Sequence, residues 1–170
     1  MILEHLTGVI YLRKIVYLIL IAIIIFCMIG CASFSTNEYI NQEINIDISK
    51  CHILIDNDGH GGFLGDGEYF VKADCSNDSE NMLNQIRFWN ELPFPEDVQL
   101  IMYGGEKNGI TYAYNLADKV GIPKIKNGVY LFDDRHIQSD KVFLNRSSYN
   151  FTVALYDKDS DIFYYYEYDS

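Results

Sequence analysis

Cys51-His52-Ile53-Leu54-Ile55-Asp56 and Glu68-Tyr69-Phe70-Val71-Lys72-Ala73-Asp74-Cys75 are the two segments on which the fold turns. Both are rich in β-branched and aromatic residues and alternate closely enough to predict strands. Between them runs Asn57-Asp58-Gly59-His60-Gly61-Gly62-Phe63-Leu64-Gly65-Asp66-Gly67. Five glycines in those eleven residues predict a loop with left-handed positions or close backbone approaches. Antiparallel pairing with Cys51 opposite Cys75 sets Ile53 against Ala73 and Ile55 against Val71. Side chains alternate with period two, so these residues share one face. The cysteines then meet at the open end of the hairpin, either as a disulfide or as two buried thiols.

Downstream, Asn77 and Glu80 have the spacing of a helix-capping box. Met82, Leu83, Ile86 and Trp89 form an apolar stripe at helical spacing, which Pro93 and Pro95 end. Trp89 continues that stripe and is read as core. Val98 to Tyr103 is strongly apolar and predicts a central strand. Gly104 to Gly109 closes with the Asn108-Gly109 turn signal. Ile110 to Tyr114 suits a strand, Ala113 to Val120 a short helix stopped by Gly121 and Pro123. Val129 to Phe132 predicts a strand, and Asp133 to Arg146 a polar connection. Tyr149 to Tyr156 and Ile162 to Tyr168 predict a closing hairpin over Asp157 to Asp161. The order implies an α+β fold: a single domain with a largely antiparallel sheet and one or two helices on one face.

Upstream, the domain is expected to begin near Ile46. Residues 32–45 are polar without a clear period and read as a flexible tether. Before them, Arg13 and Lys14 precede an apolar run from Ile15 to Phe26, closed by Met28-Ile29-Gly30-Cys31. A short positive region, a hydrophobic region and a small residue before the cut make a secretory signal, residues 1–31. The last four residues resemble the lipobox of bacterial lipoproteins, with Met and Ile before the glycine as a departure from its commonest form. That resemblance implies lipid attachment at Cys31, cleavage before it, and an extracytoplasmic chain held to the cell membrane. The alternative is a plain membrane anchor. Ile15 to Ile29 makes only about 22 Å of helix, at about 1.5 Å per residue, and a span wants about 20 residues. An address outside the cytoplasm also permits a Cys51–Cys75 disulfide.

Without Arg13, Lys14 and Glu4, the 13 cations and 24 acids of the chain become 11 and 23, a net charge of −12 after residue 31. That excludes nucleic acid as a partner on electrostatic grounds. Tyr outnumbers Phe, 14 to 10, in a folded, β-leaning composition.

Candidate chemistry centres on the glycine loop. Asp56, Asp58 and Gly61 occupy the first, third and sixth positions of a calcium loop, but position twelve is Gly67 where a bidentate Glu is needed. Calcium in another geometry would draw on Asp56, Asp58 and Asp66. His60-Gly61-Gly62 echoes the oxyanion loop of esterases, yet their Gly-x-Ser-x-Gly elbow is absent. Asp133-Asp134-Arg135-His136 could pair an acid with a base. His52, His60 and His136 lack the i+3 or i+4 partners of zinc sites. Tyr164, Tyr166 and Tyr168 share a strand face and read as packing before ring stacking on a ligand.

From Cys51 onward the chain also resembles an uncharacterised family of small Firmicutes lipoproteins and hypothetical proteins. They carry an Asp-x-x-His-Gly-Gly-Phe-x-Gly-Asp-Gly-Glu loop, matched here by His60 to Glu68. The leading acid is one residue closer if Asp58 is the match; keeping the spacing uses Asn57, and Asp56 also stands nearby. Leu100 to Gly105, Asp134-Arg135-His136 and Asn150-Phe151-Thr152 match the family's other segments. The resemblance implies a lipoprotein and carries no activity.

Two functional classes follow. The first is a non-enzymatic module that binds an unidentified protein or envelope component, with Asp58, His60, Phe63 and Asp66 as contact residues. The second is a metal-dependent or His/Asp-based hydrolase at the cell envelope, using His60, Asp58, Asp66 and His136. No complete catalytic set is present and no catalytic residue is assigned, which favours the first.

Overall fold

A computed structural model of the chain describes residues 13–14, 16–21, 34–61, 66–136 and 143–170. Cys31, the lipobox and Phe63 lie outside the described residues. The described residues of 13–21 are helical, and among the described residues no helix is long and apolar enough to cross a membrane.

From Thr36 to Ser170 the chain makes one compact unit. Its elements are α1 (Thr36–Ile44), β1 (His52–Asp58), β2 (Gly67–Asp74), α2 (Ser79–Gln85), β3 (Asn90–Glu91), α3 (Glu96–Tyr103), β4 (Gly105–Lys107), β5 (Ile110–Tyr112), α4 (Leu116–Val120), β6 (Gly128–Asp134), β7 (Asn150–Asp157) and β8 (Ile162–Asp169). Six strands form an antiparallel sheet in the order β1-β2-β8-β7-β6-β3, and β4-β5 is a separate hairpin. The fold is α+β with a single antiparallel main sheet, as expected. β7 and β8 form the expected closing hairpin, and β8 pairs along its whole length with β2 on its other side.

Alternation gives this sheet two apolar faces. Tyr69, Val71, Ala73, Phe163, Tyr165, Ala154 and Tyr156 face one core, with α1 and α2 over them. Phe70, Tyr164, Tyr166, Phe151, Val153 and Leu155 face another, with α3 and α4 over them. Helices therefore cover both faces, where the sequence pointed to one. Tyr164 and Tyr166 are buried on the second face, as the packing reading expects.

Four expectations are corrected. Residues 36–44 are not tether but helix α1, and the compact unit begins at Thr36 rather than Ile46. Ile40 and Ile44, one turn apart, turn to the core with Tyr39, and Ile40 is fully buried. Val98 to Tyr103 is helix, not central strand. Pro95 caps its start, Glu96 and Asp97 complement its N-terminal dipole, and Gly104 ends it at φ 69°. Val98, Ile101 and Met102, at helical spacing, carry its buried face. The box at Asn77 is not used: Asp78 precedes α2, with no side-chain cap, after a 3₁₀ turn at Ser76–Asp78. Leu83 points outward, while Met82, Ile86 and Trp89 pack inward.

The fourth correction is the register of the first hairpin. Ile53 pairs with Ala73 as expected, but a bulge at Leu54 then sets Ile55 against Lys72 and Asp56 against Val71. One extra residue reverses the facing of everything beyond it. Ile55 is exposed, and Asp56 takes the core-side position, where its carboxylate accepts from the Thr36 hydroxyl of α1. Before the bulge the register holds. Cys51 and Cys75 form a disulfide with Cα atoms 4.3 Å apart. The Asn108-Gly109 turn joins β4 to β5 with both residues left-handed, at φ 54° and 75°.

Candidate functional site

One buried carboxylate stands near the C-terminal end of strand β8. Glu167 lies on the first face, flanked across the sheet by Tyr69 and Thr152, and is 3% exposed. A charge so placed requires partners, and Glu167 has three. The Arg135 guanidinium donates from Nη1 to Oε1 at 2.7 Å. The hydroxyls of Tyr39, from α1, and Tyr165 each donate to Oε2 at 2.8 Å.

Arg135 follows β6, where its backbone N–H donates to the Asn150 carbonyl at 2.9 Å. Its Nη2 reaches Asp169 Oδ1 at 2.8 Å, so the guanidinium bridges the last two acids of the strand. The other oxygen of Asp169 meets His60 Nε2 at 3.1 Å. His60 Nδ1 meets Asp58 Oδ1 at 2.8 Å, and the same oxygen accepts the His60 backbone N–H at 3.0 Å. A continuous chain of charges thus runs from the core to the glycine loop, with acids at Glu167, Asp169 and Asp58 and cations at Arg135 and His60.

Carboxylate oxygens only accept, so a ring nitrogen facing one must donate. With a carboxylate at each nitrogen, His60 makes both contacts at once only as imidazolium. Burial of the ring pulls its pKa down, but the hydrogen bonds to Asp58 and Asp169 and the field of Glu167 outweigh it, and the net shift is upward. Asp58 is lowered, first by the His60 backbone N–H and then by its ring, against some desolvation. Burial alone would lower Arg135, yet Glu167 and Asp169 raise it. Tyr39 and Tyr165 are raised by burial and by the adjacent Glu167 carboxylate.

The backbone makes room for this contact. Gly67 stands beside the loop start, where a Cβ would meet His60 Cα at 2.5 Å and the Gly59 carbonyl oxygen at 2.7 Å. Only glycine lets His60 lie so close to the end of β2. Beyond β1 the ladder continues, Gly59 N–H to the Glu68 carbonyl at 2.7 Å and Gly61 N–H to the Asp66 carbonyl at 3.3 Å.

Asp58 and His60 are therefore brought together, and Asp66 is exposed on the returning limb of the loop, opposite Gly61. Asp56, Asp58 and Asp66 do not gather as calcium ligands. Among the described residues the only such grouping is His60, Glu167 and Asp169, whose ligand atoms lie within 4.8 Å of one another. That set does not fit a resident metal, because the Arg135 guanidinium already serves as the cation between both carboxylates and His60 spends its ring on them. Nor do the histidines assemble. Of Asp134-Arg135-His136 it is Arg135 that reaches the cluster, while His136 donates its backbone N–H to Asp134. Arg135, Glu167 and Asp169 were missed as site residues. The signal for Glu167 was present in Ile162-Phe163-Tyr164-Tyr165-Tyr166-Glu167-Tyr168, a lone acid in an otherwise apolar run whose burial demands a cation.

The site belongs to an α+β domain in which an ion network, buried at Glu167, ties the start of the glycine loop at Asp58 and His60 to β8. Comparison with protein-family models, curated proteins and solved structures gives no match.

Proposed function

We propose that the chain is a lipid-anchored, extracytoplasmic binding module that meets a protein or envelope component through the loop 57–67. The observation that carries the reading is the double engagement of His60. A general base needs a ring nitrogen free for the substrate's proton, and both nitrogens of His60 are committed to carboxylates. The residue acts as a cationic strut. It ties the start of the loop, Asp58 to His60, to β8, and a segment anchored on a rigid sheet is a ready contact surface. The exposed Asp66, on the limb that returns to β2, is the polar handle, and the lipobox-like Met28 to Cys31 supplies the address.

The test uses the full chain in its own membrane. A photo-reactive residue replacing Asp66 captures a discrete envelope component, while one replacing Asp159, in the turn at the other end of β8, does not. Labelled palmitate enters the wild type and not Cys31→Ala. Identical capture from both positions sinks the loop as contact site, and equal labelling of Cys31→Ala sinks the anchor.

A further inference from the structure

On the opposite face of the sheet from His60, a cleft of about 200 Å³ lies between the segment before α3 and the segment after α4. Its apolar walls are Leu92 and Phe94 from before α3, Tyr103 of α3, Ile125 from after α4 and Leu155 of β7. These walls are fixed. The Leu92 N–H donates to the Gly128 carbonyl at 3.1 Å, and the Tyr103 hydroxyl to the Pro123 carbonyl at 2.9 Å. Phe94 packs edge-on against Tyr130, with ring centroids 4.7 Å apart. Gly128 lets the two sides close behind the cleft, since a Cβ there would stand 2.9 Å from Ile125 Cγ2 and 3.4 Å from Leu92 Cδ1.

The polar side-chain groups of the lining are few, and the Tyr103 hydroxyl is already spent on the Pro123 carbonyl. Gln99 offers an amide, and Lys124 places its ammonium 5.7 Å from the centroid of the Tyr103 ring. Among the described residues Lys124 has no carboxylate partner. On a chain of net charge −11, this puts at an apolar cleft a cation that makes no ion pair among the described residues and faces only the Tyr103 ring. Sites for drug-sized ligands run to roughly 300–1,000 Å³, so this one takes a single ring or a short branched chain.

From these features we infer that the cleft binds a small monocarboxylate with an apolar body. The body lies against Leu92, Phe94 and Ile125. One carboxylate oxygen accepts from the Lys124 ammonium and the other from the Gln99 amide, a pairing that a neutral or cationic analogue cannot make. The site is independent of the His60 loop and of the reading built on it.

Benzoate, benzyl alcohol and benzylamine are the probes, titrated into the labelled full chain in neutral detergent micelles, with amide shifts as the readout. Benzoate gives saturable shifts at Leu92, Tyr103, Ile125 and Leu155, while the alcohol and the amine bind more weakly. Lys124→Gln, which keeps an apolar stem, weakens benzoate about fivefold, the upper end of what one exposed charge pair contributes, and leaves benzyl alcohol unchanged. Gln99→Trp, which fills the cleft, removes binding of all three while the shifts of β7 and β8 stay in place. Benzyl alcohol binding as tightly as benzoate, unchanged benzoate affinity in Lys124→Gln, or absence of saturable shifts at the cleft overturns the proposal.

Discussion

Replacing Arg135 with methionine is expected to lower the free energy of unfolding by about 3–5 kcal/mol, the range for breaking a buried ion pair from one side. Glu167 keeps its charge in the core, its side chain only 4% exposed, with two tyrosine hydroxyls but no directly bonded cation, since His60 is spent on Asp58 and Asp169. The Arg135 side chain is itself 26% exposed, so water screens part of the interaction and the effect falls near the lower end. Adding Glu167→Gln to Arg135→Met removes the stranded charge, and its amide oxygen still accepts from Tyr39 and Tyr165. The double variant should recover at least half of the loss. Urea unfolding of the Thr36–Ser170 unit measures both. A single-variant loss below about 1 kcal/mol, or a double variant no better than the single, would mean the network does not carry the buried charge.

The second large effect is at the other end of β1. Cys51 and Cys75 are 24 residues apart, and cross-linking a loop of that size restricts the unfolded chain by about 3–4 kcal/mol. Cys75 is fully buried, so the bridge also holds the start of α2 against the sheet. Cys51→Ser with Cys75→Ser should lower Tm by about 10–15 °C for a domain of this length. Thermal scans of the wild type with and without reductant should show the same gap. Superimposable scans would place the strength of this corner in packing alone.

Much of the frame was legible in the sequence, and the reasons are local. Alternation and turn residues mark the first and last hairpins, because a half-buried strand and a left-handed turn are both specified by near neighbours. The cysteine pairing followed from that alternation up to the bulge. The bulge itself was not legible, since nothing in Ile53-Leu54-Ile55 says which residue is extra; the sheet decides it, by bringing Asp56 under Thr36. Val98 to Tyr103 misled because six residues that are apolar on nearly every side fit a buried strand as well as a buried helix. The deciding marks were its edges, Pro95, Glu96, Asp97 and Gly104. Helix α1 was hidden by a polar sequence whose burial rests on Tyr39, Ile40 and Ile44 alone. At the site, Asp58 and His60 were found because they sit in the loop. Arg135 and Asp169 were not, because their partners are distant in sequence and come together only through pairing of β2, β8, β7 and β6.

The account rests on His60 being a doubly bonded cation. Its pKa is raised above the ordinary 6.5, so its contribution to stability is complete below 6.5 and is lost as pH rises through the folded-state value. Asp58, lowered from 3.8, contributes above 3.8 and loses its contribution as pH falls through its own folded-state value. The clamp is therefore strongest between these two limits. The most direct measurement is the NMR titration of the His60 ring nitrogens. The expected result is a midpoint above 6.5, with both nitrogens protonated below it, and a lower midpoint in Asp169→Asn. A midpoint below 6.5, or a neutral single tautomer at pH 6, would contradict the strut and return His60 to the list of candidate bases.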